Sequence, residues 1–152
     1  MEFKPITIIA SFILILFLIT LSWTDYKTYR LPNKLTFPLM LFGLLNGYIT
    51  NKAIESFIGL ILGYLIFFSL EHFYKVIKNK DAIGRGDAKL LAVGGAWCGW
   101  IGLPYIILIA SSTGLIAVLL FKKYLLKSNE HIPFGPFLAL GIALVWITNA
   151  YT

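Results

Sequence analysis

The chain of 152 residues holds one cysteine and only seven acidic residues. A lone Cys98 allows no internal disulfide and no cysteine-rich zinc site. Charged residues make up 13% of the sequence and hydrophobic ones 59%, whereas a soluble domain carries nearer about a quarter charged residues. So much apolar surface cannot all be hidden in one small core, and lipid is the solvent that fits. No Ser/Pro-rich or low-complexity linker divides the chain and no internal repeat is evident, so its length suggests a single domain over residues 1–152. Neither a His-Glu-x-x-His zinc motif nor a Gly-x-Ser-x-Gly elbow occurs. No metal and no cofactor is expected.

What is present is a series of apolar segments, at about Pro5–Trp23, Leu35–Thr50, Ile54–Phe73, Ala88–Leu103, Pro104–Phe121 and Phe134–Ala150. A helix needs about 20 residues to cross a hydrocarbon core and about 17 are tolerated. The expected fold is therefore all-α and integral to the membrane, a bundle of about six transmembrane helices. The first segment is too long for a signal h-region and is followed by Thr24-Asp25-Tyr26-Lys27 instead of a small-residue cleavage site, so it reads as a retained helix.

The formal charge of +6 invites a nucleic-acid reading. The positive residues, however, sit in short loops between apolar runs, which is a membrane pattern, and no nucleic-acid partner is expected. With six spans and the N-terminus outside, the inner loops hold Lys27, Arg30 and Lys34, then Lys75, Lys78, Lys80, Arg85 and Lys89, then Lys122, Lys123 and Lys127. Only Lys4 and Lys52 stay outside. That bias predicts both termini on the non-cytoplasmic side. The inner lysines would also anchor the chain to anionic lipid headgroups. Three Gly-x-x-x-Gly pairs, Gly43/Gly47, Gly59/Gly63 and Gly95/Gly99, suggest close helix crossings.

The acidic residues are Glu2, Asp25, Glu55, Glu71, Asp81, Asp87 and Glu130. The topology puts Asp25 at the cytoplasmic end of the first helix and Asp87 at the cytoplasmic start of the fourth. Two neighbouring carboxyls cannot both ionise cheaply, so they share a proton. The ionised member can take a proton from water while the protonated one polarises a peptide carbonyl. For Asp87 a helix N-cap is an equal alternative on local grounds. Asp25 has a weaker structural explanation, because a carboxylate at a helix C-terminus faces the negative pole of the dipole. Glu71 and His72 close the third span on the same side and read as interfacial. Asp81 reads as a solvated loop charge and His131 as structural. Two other functions stay open on these residues: a small proton- or ion-coupled transporter, since acids in membranes relay ions, and a non-catalytic assembly partner.

The run Thr24-Asp25-Tyr26-Lys27-Thr28-Tyr29-Arg30-Leu31-Pro32-Asn33 resembles the first catalytic segment of the type IV prepilin peptidases. Gly84-Arg85-Gly86-Asp87-Ala88-Lys89 is similar to that family's Gly-x-Gly-Asp-x-Lys segment, and Pro133-Phe134-Gly135-Pro136 to its C-terminal signature. Presenilin-like peptidases share Gly-x-Gly-Asp, but the Leu-Pro-Asn and Pro-Phe-Gly-Pro runs point away from them. The resemblance implies an aspartic endopeptidase of a bacterial inner membrane with Asp25 and Asp87 as its catalytic pair. Gly84, Gly86, Lys89, Pro32 and Asn33 would support the active-site loops. The implied partners are prepilins or pseudopilins, which carry a short basic leader before an apolar helix and are cut after a glycine at the cytoplasmic face. Longer members add a loop with paired cysteines for zinc and methylate the new N-terminus with S-adenosylmethionine. No cysteine pair occurs in these 152 residues, so peptidase activity alone is expected. Oligomeric state is not legible.

Overall fold

The computed structural model describes residues 5–28, 30–78, 85–128 and 133–151. These form five helices: α1 (Pro5–Thr28), α2 (Asn33–Ile49), α3 (Ala53–Lys78), α4 (Arg85–Ser128) and α5 (Gly135–Tyr151). No strand occurs among the described residues. Three stretches, Pro5–Thr28, Ala53–Phe73 and Gly86–Leu120, are long and apolar enough to cross a membrane, and Gly135–Ala150 is a shorter apolar helix. The chain is a multi-pass helical membrane protein.

The boundary expected between Leu103 and Pro104 is not where the chain bends. The fourth and fifth apolar segments form one element, α4, whose two limbs (85–98 and 100–128) meet at Gly99. Its φ of 73° and ψ of 174° are open only to glycine. Pro104 lies inside the second limb, in its opening turns. There its missing N–H forfeits one helical bond, to the carbonyl of Trp100, in a helix already interrupted nearby. The helix ends also differ from the sequence reading. α1 runs past the apolar segment's expected end at Trp23, through Asp25 to Thr28, and Asp25 lies at the end of the first helix as expected.

The first limb of α4 is the core of the bundle. Ala88 and Leu90 to Trp97 are all buried, as expected of a helix with neighbours on every side. It packs against α2, α3 and α5, while α5 also packs against α1. Lipid tails are as apolar as leucine, so helices in a membrane associate by van der Waals fit more than by hydrophobic burial. The glycine pairs supply that fit. A Cβ on Gly59 would meet the backbone carbonyl of Gly95, and one on Gly95 would meet that of Gly59. One on Gly63 would stand 2.6 Å from the Leu91 oxygen. The same logic holds on α2, where a Cβ on Gly43 would stand 2.7 Å from Trp97. Trp97 donates its indole N–H to the Leu39 carbonyl at 2.8 Å and meets Trp146 edge-on, with centroids 5.2 Å apart. Trp146 in turn donates to Ser11 Oγ at 2.9 Å. These bonds satisfy both buried indoles and tie α2, α4, α5 and α1 together.

Candidate active site at one end of the bundle

The end of α1 and the beginnings of α2, α4 and α5 meet at one end of the bundle. Asp25 lies in the last turn of α1 and is only 6% exposed. A buried carboxylate near a helix C-terminus is unfavourable without compensation. The compensation comes from 110 residues away: the backbone N–H of Gly135 donates to Asp25 Oδ2 at 3.0 Å. A Cβ on Gly135 would stand 2.8 Å from Asp25 Cγ, so only glycine lets the two approach this closely.

Asp87 is half-buried in the first turn of α4. Because α4 already runs from Arg85, Asp87 is inside the helix and does not cap it. Asp25, at the end of α1, and Asp87, at the start of α4, thus stand at the same end of the bundle. Among the described residues α1 and α4 do not pack on each other, and α2 and α5 bridge them.

The loop residues fall around this pair. Lys89 donates from Nζ to Asn33 Oδ1 at 2.6 Å, joining the first turn of α4 to the first turn of α2. Pro32 stands at the N-cap of α2 with extended backbone (φ −70°, ψ 130°), and its carbonyl accepts from the N–H groups of Leu35 and Thr36. Gly86 is needed for space and not for an unusual backbone. It is helical, and a Cβ there would press on the Leu31 side chain at 3.1–3.3 Å. Leu31, buried at 7% exposure, thus closes over the start of α4. Gly84, Asp81, Glu130 and His131 lie outside the described residues. His72 is exposed and Glu71 half-buried in the last turns of α3. They lie beyond Phe67, whose ring packs 6.3 Å from that of Phe134. Among the described residues no group of three His, Cys, Asp or Glu side chains is placed to hold a metal ion.

Two contributors escaped the sequence reading. Gly135 had been visible only as part of a signature run, and Leu31 only as part of the Leu-Pro-Asn turn. The usable signal was the glycine between Phe134 and Pro136, a place where a close approach needs a missing Cβ.

The Lys89–Asn33 bond is solvent-exposed, so its worth is at the low end for a charged hydrogen bond, about 1 kcal/mol. Lys89→Met and Asn33→Ala are each expected to lower the melting temperature in detergent by roughly 2–4 °C. The double variant should fall little further, because either change alone removes the bond. Fully additive losses would show that the two side chains act independently.

The sequence pattern of the type IV leader peptidase family matches residues 12–119. This chain belongs to the type IV leader peptidase family. Among relatives, the prepilin leader peptidase/N-methyltransferase of Aeromonas salmonicida is 38% identical over 147 residues, covering 91% of this chain and 49% of that protein. That of Escherichia coli K12 is 37% identical over 153 residues, covering 96% of this chain and 68% of its own length. The one from Dickeya chrysanthemi is 35% identical over 136 residues, 86% of this chain and 47% of that enzyme. The chain thus spans about half the length of the Aeromonas and Dickeya relatives. No solved structure matches it. The type IV prepilin peptidases suggested by the motifs and the family matched over most of the chain are the same.

Proposed function

We propose that this membrane peptidase removes the basic leader from type IV prepilins or pseudopilins at the cytoplasmic face of a bacterial inner membrane. Asp25 and Asp87 are the groups that activate water. The observation that supports this reading is that Asp25 and Asp87, 62 residues apart in sequence (87 minus 25), stand at the same end of the bundle, where the Gly135 bond ties α1 to α5 and the Lys89–Asn33 bond ties α4 to α2.

The chemistry needs no other nucleophile. One carboxylate takes a proton from water as the water oxygen bonds to the scissile carbonyl carbon, and the other carboxyl gives its proton to the carbonyl oxygen. Collapse of the tetrahedral adduct breaks the C–N bond, the amine leaves with a proton from the pair, and the leader departs with a new carboxyl group. The reading covers the cut alone. Methyl transfer, the second activity in the relatives' name, is a separate question.

Orientation follows from charge. Lys27, Arg30, Lys34 and Lys89 surround the aspartate end, and Lys52 lies in the turn at the opposite end of α2. Positive residues favour the cytoplasmic side, which supports six crossings with both termini outside. Trp23 and Tyr26, 62% and 67% exposed, flank Asp25 as interfacial aromatics do, and Lys27 lies over the Trp23 ring at 4.8 Å. A transporter would keep its acids near the bilayer midplane. This pair sits at a helix end.

Substrate placement follows from shape. An open, mainly apolar groove of about 850 Å³ runs between α1 and α5, lined by Ile15, Ile19, Trp23 and Tyr26 on one wall and Pro136 and Leu140 on the other. Its wall from Ile15 to Tyr26 is about 16 Å long at 1.5 Å per residue, enough for about three turns of helix. Thr24 and Tyr26, the sequence neighbours of Asp25, line its end, so a prepilin helix lying in it would bring its leader junction to the aspartate end of the bundle.

The test is co-expression with a prepilin, following leader removal on a gel and sequencing the new N-terminus, with a photoreactive residue at Leu140 or at Phe68. Cleavage after a glycine, with prepilin captured from position 140 and not from Phe68 on α3, is the expected result. Failure to cut any of several prepilins would move the reading to a non-catalytic assembly partner. Capture from Phe68 but not from position 140 would relocate the substrate path.

A further inference from the structure

We infer that the backbone N–H of Gly135 is a positioning group that fixes Asp25 and leaves Asp25 Oδ1 as its working oxygen. This rests on the reading of Asp25 and Asp87 as the water-activating pair.

The argument begins with the start of α5. The first N–H groups of any helix lack intrahelical partners. Here Phe134 occupies the cap position, and its carbonyl accepts from the N–H groups of Phe137 at 3.1 Å and Leu138 at 3.2 Å. Pro136 has no N–H to offer. One spare donor is left in the opening turn, that of Gly135, and it points at Asp25 Oδ2 at 3.0 Å. The bond is buried, and the positive pole of α5 stands behind it. A donor fixed in the main chain cannot swing away as a side chain could.

Two consequences follow for the carboxylate. Accepting the Gly135 N–H lowers the basicity of Oδ2, so proton traffic with water or with Asp87 favours Oδ1. The χ2 torsion of an aspartate is broad when unrestrained, and this bond removes that freedom. Glycine is required at 135 because a Cβ there would meet Oδ2 directly and stand 2.8 Å from Cγ. The requirement is spatial. No positive φ is involved, since Gly99 is the glycine of that kind among the described residues.

The experiment uses the full chain in detergent, with Gly135→Ala made alone and in an Asp25→Ala background. Gly114→Ala serves as the control, because a Cβ at Gly114 would make ordinary contacts with Phe134 and Phe137 at 3.6–3.8 Å. Gly135→Ala is expected to lower kcat for prepilin cleavage by about 100-fold with KM within about twofold of wild type, the pattern of an interaction needed at the transition state. It should lower the melting temperature in the parent by several degrees and by clearly less when Asp25 is alanine, because the colliding carboxylate is then gone and only the Cβ contact at 3.1 Å remains. A purely structural glycine would give the same loss in both backgrounds, and that result, or a wild-type kcat in Gly135→Ala, overturns the inference. If wild-type protein cuts no prepilin, the functional reading has failed, and the melting comparison still decides whether Gly135 holds Asp25.

Discussion

Asp25→Asn and Asp87→Asn are each expected to reduce prepilin cleavage by roughly 10⁴-fold or more, the scale seen when one member of a cooperating catalytic set is removed. Asparagine keeps the size and shape of aspartate but can neither accept a proton from water nor share one with its partner. The substitution is a sharper probe at Asp25 than alanine. Its amide oxygen can still accept the Gly135 N–H that now reaches Oδ2, so the local structure has its bond while the chemistry loses its base. Neither variant should melt below wild type, since removing a charge from a buried position relieves desolvation cost. Membrane expression should match as well. Each variant needs measurement against the same substrate over at least four decades of enzyme amount, because a small residual rate separates a lost base from a lost fold. A variant that cuts within about tenfold of wild type at equal expression would remove that aspartate from the chemistry, and the pair with it.

The aspartates were legible in the sequence because acids are scarce in a chain so apolar, and because each stands in a recognisable run. Their partners were less legible, for different reasons in each case. Lys89 and Asn33 are 56 residues apart, and nothing local in either run announces their bond. Gly135 contributes a main-chain donor, which no side-chain pattern encodes. The position of Asp25 at the end of the first helix was legible, but its burial, with α1 continuing three residues past it, was not.

The bend in α4 shows the limit of reading breakers by residue type. Pro104 carries the stronger local signal, yet the chain turns at Gly99, one of four glycines between Gly94 and Gly102. Which of them takes a positive φ depends on what packs around it. Gly59 and Gly95 had been read as close-approach positions and are so. Gly99 had been read the same way, but it holds a backbone conformation barred to other residues.

Gly95→Ala is expected to be among the most destabilising single-methyl changes in the chain. Adding one methyl to a packed core costs about 1–3 kcal/mol where side chains can move aside. At Gly95 the obstacle is the Gly59 carbonyl, with the Gly59 carbon and the Leu60 nitrogen close behind it. None of these is a flexible side-chain end. The methyl can be accommodated only by separating α3 from α4 along the crossing that also holds Gly63 on Leu91. Separation forfeits van der Waals contact over the whole seam, and in lipid that contact is the main source of helix association. A loss at or above the upper end of that range, about 3 kcal/mol, is a large part of the 5–15 kcal/mol that holds a typical domain folded. The expected observation is a melting temperature in detergent lower by about 6–12 °C, at the roughly 2–4 °C per kcal/mol of a domain this size. Monodisperse protein should be reduced as well, while Gly114→Ala behaves as wild type. The reciprocal change, Gly59→Ala, should match it, and the double variant should be no better than either, since two methyls facing across one crossing cannot relieve each other. Wild-type melting for Gly95→Ala would mean that α3 and α4 do not meet backbone to backbone. The depth at which α4 carries Asp87 would then have to be set by its contacts with α2 and α5 alone.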